Sequence, residues 1–160
     1  MTFWCAGVIL LLACGGEDEP TAIDPSDRQT VSGLWIYEGY DIEGGRFVCQ
    51  RAALALDLHS HITSFQGIAI GVGTSCEDKL GGSQWRLSIG PIGSDTVKGS
   101  LSNNAVDFDI PSGASMASSV YWGNEGVVEG DSMFGELTIL FTFSDGTRQS
   151  VTGNWRAGRR

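Results

Sequence analysis

Basic residues are scarce in this chain of 160 residues. Two lysines and eight arginines stand against 19 acidic residues, so the formal net charge is −9 at pH 7. A nucleic-acid-binding protein needs a stripe of basic side chains to neutralise phosphates, and the sequence contains none. An anionic membrane surface would repel this charge, so any membrane attachment must be hydrophobic.

Long hydrophobic runs and prolines are also scarce. The uncharged apolar stretch at residues 3–13 has 11 residues. That is too short for a helix crossing a hydrocarbon core of ~30 Å, but it fits the hydrophobic region of a signal peptide. Only four prolines occur, whereas there are 23 glycines and 41% hydrophobic residues. This composition is typical of one globular domain rich in β-strands and turns.

Motifs that carry catalysis are lacking as well. The pairs Asp107/Asp109 and Glu125/Glu129 could indicate acid–base chemistry, which requires one desolvated carboxyl beside an ionised one. Asp107 and Asp109 alternate with apolar residues, so we interpret such acids as the solvated face of a strand. The sequence shows no histidine-containing triad and no glycine loop that leads into a helix. We therefore expect no enzymatic activity and no cofactor.

The segment Asp57-Leu58-His59-Ser60-His61 invites a metal hypothesis. In an extended strand, Asp57, His59 and His61 point the same way, and two imidazoles with a carboxylate can bind zinc or copper. The alternating leucines of the same segment mark the opposite face as core. We therefore favour a solvated outer face, and a metal site at these three residues is kept as an alternative.

The apolar stretch ends in Leu11-Leu12-Ala13-Cys14. This segment resembles the lipobox of bacterial lipoproteins, in which a leucine stands three residues before the cysteine and a small residue directly before it. The resemblance implies that residues 1–13 are a signal peptide, that cleavage follows Ala13, and that Cys14 carries acyl chains. It implies a protein anchored by lipid in the bacterial cell envelope. We favour the outer membrane, on its periplasmic or surface face.

An acidic segment follows the cysteine. Residues 15–27 contain five acids, two prolines and two glycines, with little to bury. Such a segment cannot offset the entropy lost on ordering. The sequence therefore predicts a flexible acidic tether over residues 14–30 and a folded domain over residues 31–158.

The chain has four cysteines. Cys5 would leave with the signal peptide and Cys14 would be lipidated. Cys49 and Cys76 remain as an even pair in an exported, oxidising setting. We predict a disulfide between them, whose loop of about 27 residues contributes ~3–4 kcal/mol in the loop-entropy model.

Alternation of apolar and polar residues predicts strands from Val31 onward. Turns are expected at Asn103-Asn104 and Ser144–Thr147, where Asp-Gly accepts positive φ angles. In residues 62–72, three apolar side chains share one face and two glycines the other. The faces that we assign are Leu54, Leu56 and Leu58; Ile68, Ile70 and Val72 opposite Gly67 and Gly71; Trp85, Leu87 and Ile89; Val106, Phe108 and Ile110; Met133, Leu137, Ile139, Phe141 and Phe143; and Val151 with Trp155.

About eight or nine strands joined by short turns suit an all-β fold. We predict an antiparallel up-and-down barrel, with a β-sandwich as the alternative. Gly33-Leu34-Trp35 and Asn154-Trp155-Arg156 resemble the first and last strands of lipocalin-like and avidin-like barrels. In those families a tryptophan closes one end and a late arginine packs across it. The resemblance implies Trp35 beside Arg156, Arg159 or Arg160.

Aromatic residues supply the candidate ligand site. Trp35, Tyr37, Trp85 and Tyr121 could line a pocket for a small hydrophobic ligand, or they could simply fill the core. The favoured hypothesis is a monomeric, lipid-anchored envelope barrel that binds such a ligand without catalysis and binds no nucleic acid. One alternative is an envelope interaction or assembly module that pairs a free strand edge with a partner. A second alternative is a histidine-containing metal-binding protein.

Overall fold

The structure is a computed structural model that describes residues 30–50, 52–71, 74–89, 96–110, 112–114 and 119–160. Side chains are not described at residues 52, 85–89 and 112–114. The predicted signal peptide, the lipidation site Cys14 and the tether up to residue 29 lie outside the described residues. In the described part of the chain, no helix is long and apolar enough to cross a bilayer.

The described residues form twelve strands. Their bounds are β1 Gly33–Gly44, β2 Phe47–Cys49, β3 Ala52–Ser60, β4 Ser64–Gly71, β5 Thr74–Asp78, β6 Gln84–Ile89, β7 Val97–Ser102, β8 Ala105–Asp109, β9 Ser112–Ala114, β10 Ser119–Glu129, β11 Ser132–Thr142 and β12 Arg148–Arg159. Positive φ angles at Asn103 and Gly146 (54° and 83°) let the chain turn where the sequence predicted.

Eight of the strands close into an antiparallel barrel. Their order around the ring is β1–β3–β4–β7–β8–β10–β11–β12, and β12 pairs with β1. The closing register places Trp35 opposite Arg159 and Tyr40 opposite Asn154. The predicted all-β barrel is therefore confirmed. The β-sandwich alternative is wrong, because the first and last strands are hydrogen-bonded to each other.

The four short strands lie outside this ring and pair in the order β1–β2–β5–β6–β9. The predicted disulfide is confirmed within this extension, where Cys49 of β2 is directly opposite Cys76 of β5. The buried carboxylate of Asp78 pairs with the Arg46 guanidinium on the same two-stranded unit. The hydrogen bond from Arg46 lowers the pKa of Asp78 to about 2. A covalent bond and an ion pair therefore join the β2 segment to β5.

Large side chains fill the inside of the barrel. The predicted inward positions of β3, β8, β11 and β12 are buried, and Phe143 packs against them from a partly buried position. The largest fully buried side chains include Trp35, Trp122, Trp155, Tyr37, Phe108 and Phe141. Buried and exposed positions alternate along most of the ring strands because each strand has one face inside the ring and one face in solvent.

The structure decides which of the two predicted faces of β4 points into the barrel. Phe65, Gly67 and Ala69 are inside, whereas Ile68 and Ile70 are 39% and 55% exposed on the outside. A Cβ atom on Gly67 would overlap a carbonyl oxygen of β3, so the two backbones approach closely at this point. The alternation predicted the two faces correctly, and the apolar isoleucine face is the outer one.

Candidate functional site

The structure separates Tyr121 from Trp35 and Tyr37, three of the four aromatic residues predicted to line a pocket. Trp35 and Tyr37 are fully buried inside the barrel, whereas Tyr121 points outward and is 50% exposed. The side chain of Trp85 lies outside the described ones. Tyr121 therefore shares no site with the two buried members of the set.

Tyr37 belongs to a buried polar network inside the barrel. Its hydroxyl donates to Asn124 Oδ1 at 2.6 Å and accepts from Trp122 Nε1 at 3.3 Å. Asn124 Nδ2 donates in turn to the Phe108 carbonyl oxygen at 3.3 Å. Burial raises the pKa of Tyr37, and its ring stacks on that of Trp155 with centroids 5.9 Å apart. This network satisfies the buried polar groups of the Tyr37, Trp122 and Asn124 side chains inside the barrel.

Trp35 and Arg159 are directly opposite each other, at the start of β1 and the end of β12. Of the three arginines that the resemblance left open, Arg159 is the one over Trp35, with its Cζ 4.4 Å from the ring centroid. Its guanidinium also donates to the carbonyl oxygens of Ser32 and Thr30. Its Nε lies 2.9 Å from Asp131 Oδ1, an ion-pair distance without hydrogen-bond geometry. Arg159 therefore joins the last strand to the segment that enters β1.

A groove of about 590 Å³ lies on the outer face of β1, β12 and β11. Its floor is Gly158, where an added Cβ would meet no heavy atom within 4 Å. Ile36 is directly opposite Gly158, and Ile36 and Phe134 form apolar walls that are 47% and 41% exposed. Ala53 contributes further apolar surface. We call this feature the outer groove.

A charged pair lines the outer groove as well. Arg156 Nε and Nη2 lie 2.9 Å and 2.7 Å from Glu38 Oε2. The Arg156 guanidinium also stacks over the Tyr40 ring at 5.4 Å. Arg156 therefore points away from Trp35, and it gives the groove a cation beside an anion. The arrangement can hold a molecule that combines an apolar part with a polar or charged group.

The outer groove was not predicted from the sequence. Its walls come from strands at the two ends of the chain, and only barrel closure brings them together. One signal was present, because Ile36 and Phe134 occupy outward positions in strands whose inward positions are already apolar.

The three residues of the metal hypothesis are on the outside of β3 and in the turn that follows. His59 Nε2 lies 3.9 Å from Asp57 Oδ1, and both side chains are exposed. The amide of His61 donates to the Ser64 carbonyl oxygen in the turn at 2.7 Å. Within the described ranges, no group of three His, Cys, Asp or Glu side chains could hold a metal ion.

Acidic residues cover the outer faces of β8, β10 and β11. Asp107 is directly opposite Glu125, which is directly opposite Glu136, and all three are exposed. A hydrogen bond with the Asp109 carboxylate, together with burial, raises the pKa of Tyr121 to about 12. We call this surface the acidic face. It is a solvated region of high negative charge.

A scan against protein-family models finds no match, and a search of curated proteins finds no matching sequence. The function is therefore inferred from the residues and geometry of the chain itself.

Proposed function

We propose that this chain is a lipid-anchored β-barrel protein of the bacterial cell envelope that binds a small amphipathic molecule and catalyses no reaction. The observation that carries the binding role is the outer groove. Its volume of about 590 Å³ falls within the range of about 300–1,000 Å³ that is usual for small-molecule sites.

The filled interior supports an external site. Trp35, Tyr37, Trp122 and Trp155 are at most 1% exposed and occupy the space in which a wider barrel would carry a ligand. A ligand is therefore expected in the outer groove. Its apolar part would contact Ile36 and Phe134.

The polar part of the ligand would meet Arg156 and Glu38. These groups form an ion pair that is partly open to solvent, with side-chain exposures of 60% and 18%. A carboxylate or phosphate can bind the free edge of the guanidinium, and an ammonium can bind the carboxylate. The favoured ligand class is therefore a single-chain amphiphile with an anionic or zwitterionic head.

The anchor is supported by the sequence before the barrel. Leu11-Leu12-Ala13-Cys14 follows an apolar stretch, and an acidic tether separates Cys14 from the first strand. Acyl chains supply ~0.8 kcal/mol per buried CH₂, so stable attachment requires at least two chains. Intact-mass analysis of the protein from a bacterial host tests this directly. A mature chain that starts at Cys14 with added acyl mass is expected, and an uncleaved chain with a bare thiol contradicts the proposal.

Substitution of the groove floor tests the binding role. Gly158→Leu should fill the groove without strain, because its backbone is ordinary and the space is open. Thr152→Leu is the matched control, an exposed outward position on the same strand. Binding of dodecanoate and of N-phenylnaphthylamine is measured by calorimetry and fluorescence.

We expect Gly158→Leu to weaken binding of either probe at least tenfold, while Thr152→Leu binds as the unmodified protein does. Lipids that copurify with the unmodified protein, identified by mass spectrometry, should be depleted from Gly158→Leu alone. If neither probe binds the unmodified protein, or if both variants bind equally well, the groove is not a ligand site.

Closure of the eight-stranded ring argues against the strand-pairing alternative. Each of the eight ring strands has a ladder partner on both sides, so none of them is an edge strand of the sheet. Among the described short strands, β9 pairs with β6 alone and has three residues. An edge of three residues offers few backbone N–H and C=O groups to a partner strand. We therefore do not adopt strand pairing as the function.

A further inference from the structure

The outer faces of β1, β3 and β4 carry a cluster of apolar side chains that is interrupted by the carboxylate of Asp57. Ile36, Ala55 and Ile70 are directly opposite one another across the three strands, and Leu34 and Ile68 flank Asp57 in the next row. Ile36, Ile68 and Ile70 are 47%, 39% and 55% exposed. We call Leu34, Ile36, Ala55, Ile68 and Ile70 the outer apolar face. A cluster of exposed apolar side chains marks an interaction site more often than scattered exposed residues do.

The chain enters the barrel at the margin of this face. Thr30 and Ser32 are held by Arg159, and Leu34 and Ile36 follow within a few residues. Residues 14–29 therefore connect Cys14 to the barrel beside the outer apolar face. An anchor at Cys14 would keep this part of the barrel within the reach of the tether from the lipid.

The positions of the charged residues also favour contact between the outer apolar face and a membrane. Arg159 and Arg160 lie at the end of β12, and the Arg160 amide donates to the Leu34 carbonyl oxygen at 2.8 Å. The acidic face on β8, β10 and β11 lies across the ring, since each of these strands is four positions from β1, β3 and β4 respectively. When the outer apolar face meets a bilayer, the acidic face points away from anionic headgroups and repulsion is smallest.

We propose that the outer apolar face rests on the lipid bilayer and fixes the orientation of the barrel on the membrane. This inference depends on the proposed lipid attachment at Cys14. The tether makes contact with lipid effectively intramolecular, so a weakly apolar face suffices. A second copy of the chain is a poorer occupant, because each copy carries a net charge of −9 and the copies repel one another.

Depth-dependent quenching tests the orientation. The mature lipidated protein is reconstituted into vesicles of phosphatidylethanolamine and phosphatidylglycerol that contain nitroxide-labelled lipid. Ile70→Cys carries a bimane label in one sample, and Thr138→Cys carries it in the control. Both positions are exposed, and Thr138 is on β11, directly across the ring from β4. Cys49 and Cys76 form a disulfide and Cys14 would be acylated, so the new thiol is the one that reacts.

We expect the label at Ile70 to be quenched at least threefold more strongly than the label at Thr138. Adding Ile36→Glu should reduce the quenching at Ile70 to the level of the control while the protein still floats with the vesicles. Ile68→Cys replaces Ile70→Cys if that variant does not fold. Because Ile68 is on the same face of β4, the same result is expected.

The other outcomes are distinct. Protein that floats but is quenched equally at both positions overturns the orientation and leaves the anchor intact. Protein that does not float overturns the anchor and the orientation together. A bimane label at Ile70 that is already shielded from water without vesicles shows that residues 14–29 cover the face instead. Dimers in sedimentation that Ile36→Glu abolishes show that a second copy covers it.

Discussion

Replacement of Tyr37 by phenylalanine removes one oxygen from the centre of the barrel. That oxygen donates to Asn124 Oδ1 at 2.6 Å and accepts from Trp122 Nε1 at 3.3 Å, and all three side chains are at most 1% exposed. Water cannot reach the amide oxygen and the indole N–H that lose their partner. Each unsatisfied buried group costs about 1–3 kcal/mol, and the Trp122 bond is long, so Tyr37→Phe should destabilise the fold by about 2–4 kcal/mol.

Urea unfolding followed by tryptophan fluorescence, with the disulfide intact, measures this change. Tyr40→Phe is the matched control, because it is the same substitution on the outer face of the same strand and keeps the ring beneath Arg156. We expect the control to change the free energy of unfolding by less than about 0.5 kcal/mol. If Tyr37→Phe also costs less than about 0.5 kcal/mol, the reasoning about buried unsatisfied groups does not hold at this site.

The pH dependence of the free energy of unfolding above pH 10, compared between the unmodified protein and Tyr37→Phe, gives a second measurement. Burial raises the pKa of Tyr37 above its ordinary value of 10.0 in the folded protein. Stability from this group is complete below pH 10 and falls as the pH rises further, because the unfolded chain ionises there and the folded one does not. The stability advantage of the unmodified protein over Tyr37→Phe should therefore shrink above pH 10, by about 1.4 kcal/mol per pH unit. An advantage that stays constant to pH 11 contradicts the assigned burial of the hydroxyl.

Substitutions at three further places test other parts of the fold. Cys49→Ala combined with Cys76→Ala should lose about 3 kcal/mol of stability in urea, and an unchanged midpoint contradicts the disulfide's role in closing its loop. Arg159→Lys keeps the charge but loses the planar group over the tryptophan and the forked hydrogen bonds, so thermal unfolding followed by circular dichroism should show a loss of about 1–2 kcal/mol. Gly135→Ala places a methyl group on a carbonyl oxygen of β10 and should cost about 1–3 kcal/mol, whereas Gly158→Ala should be neutral. Equal urea midpoints for the two alanine variants contradict the close approach at Gly135.

The strand pattern was predictable because each strand of the barrel has one buried face and one face in solvent. Met133, Leu137, Ile139 and Phe141 share the face of β11 opposite Glu136 and Thr138, and all four are buried. The same rule assigned two faces to β4 but could not say which was inside. That choice depends on the neighbouring backbone at Gly67, which only the tertiary structure supplies.

The candidate site was harder to predict for a similar reason. The disulfide between Cys49 and Cys76 followed from the cysteine count together with the lipobox resemblance, which sets Cys5 and Cys14 aside. The outer groove depends on Ile36 of the first strand and Phe134 of the eleventh, which meet only when β12 pairs with β1. Asn124 is a polar residue at an inward position of β10, and sequence reasoning gave it no role because its partner Tyr37 is 87 positions away.

The pairing of β1 with β12 also governs when the fold can form. Glu38 and Arg156, which face each other across this seam, are 118 positions apart in the chain. During synthesis, β1 keeps one unsatisfied edge until the last strand has emerged, and a prematurely terminated chain exposes two such edges to aggregation. Closing so long a loop is entropically costly and slow. The barrel is therefore completed only after β12 has been synthesised, and the export that we propose would act on a chain whose ring is still open.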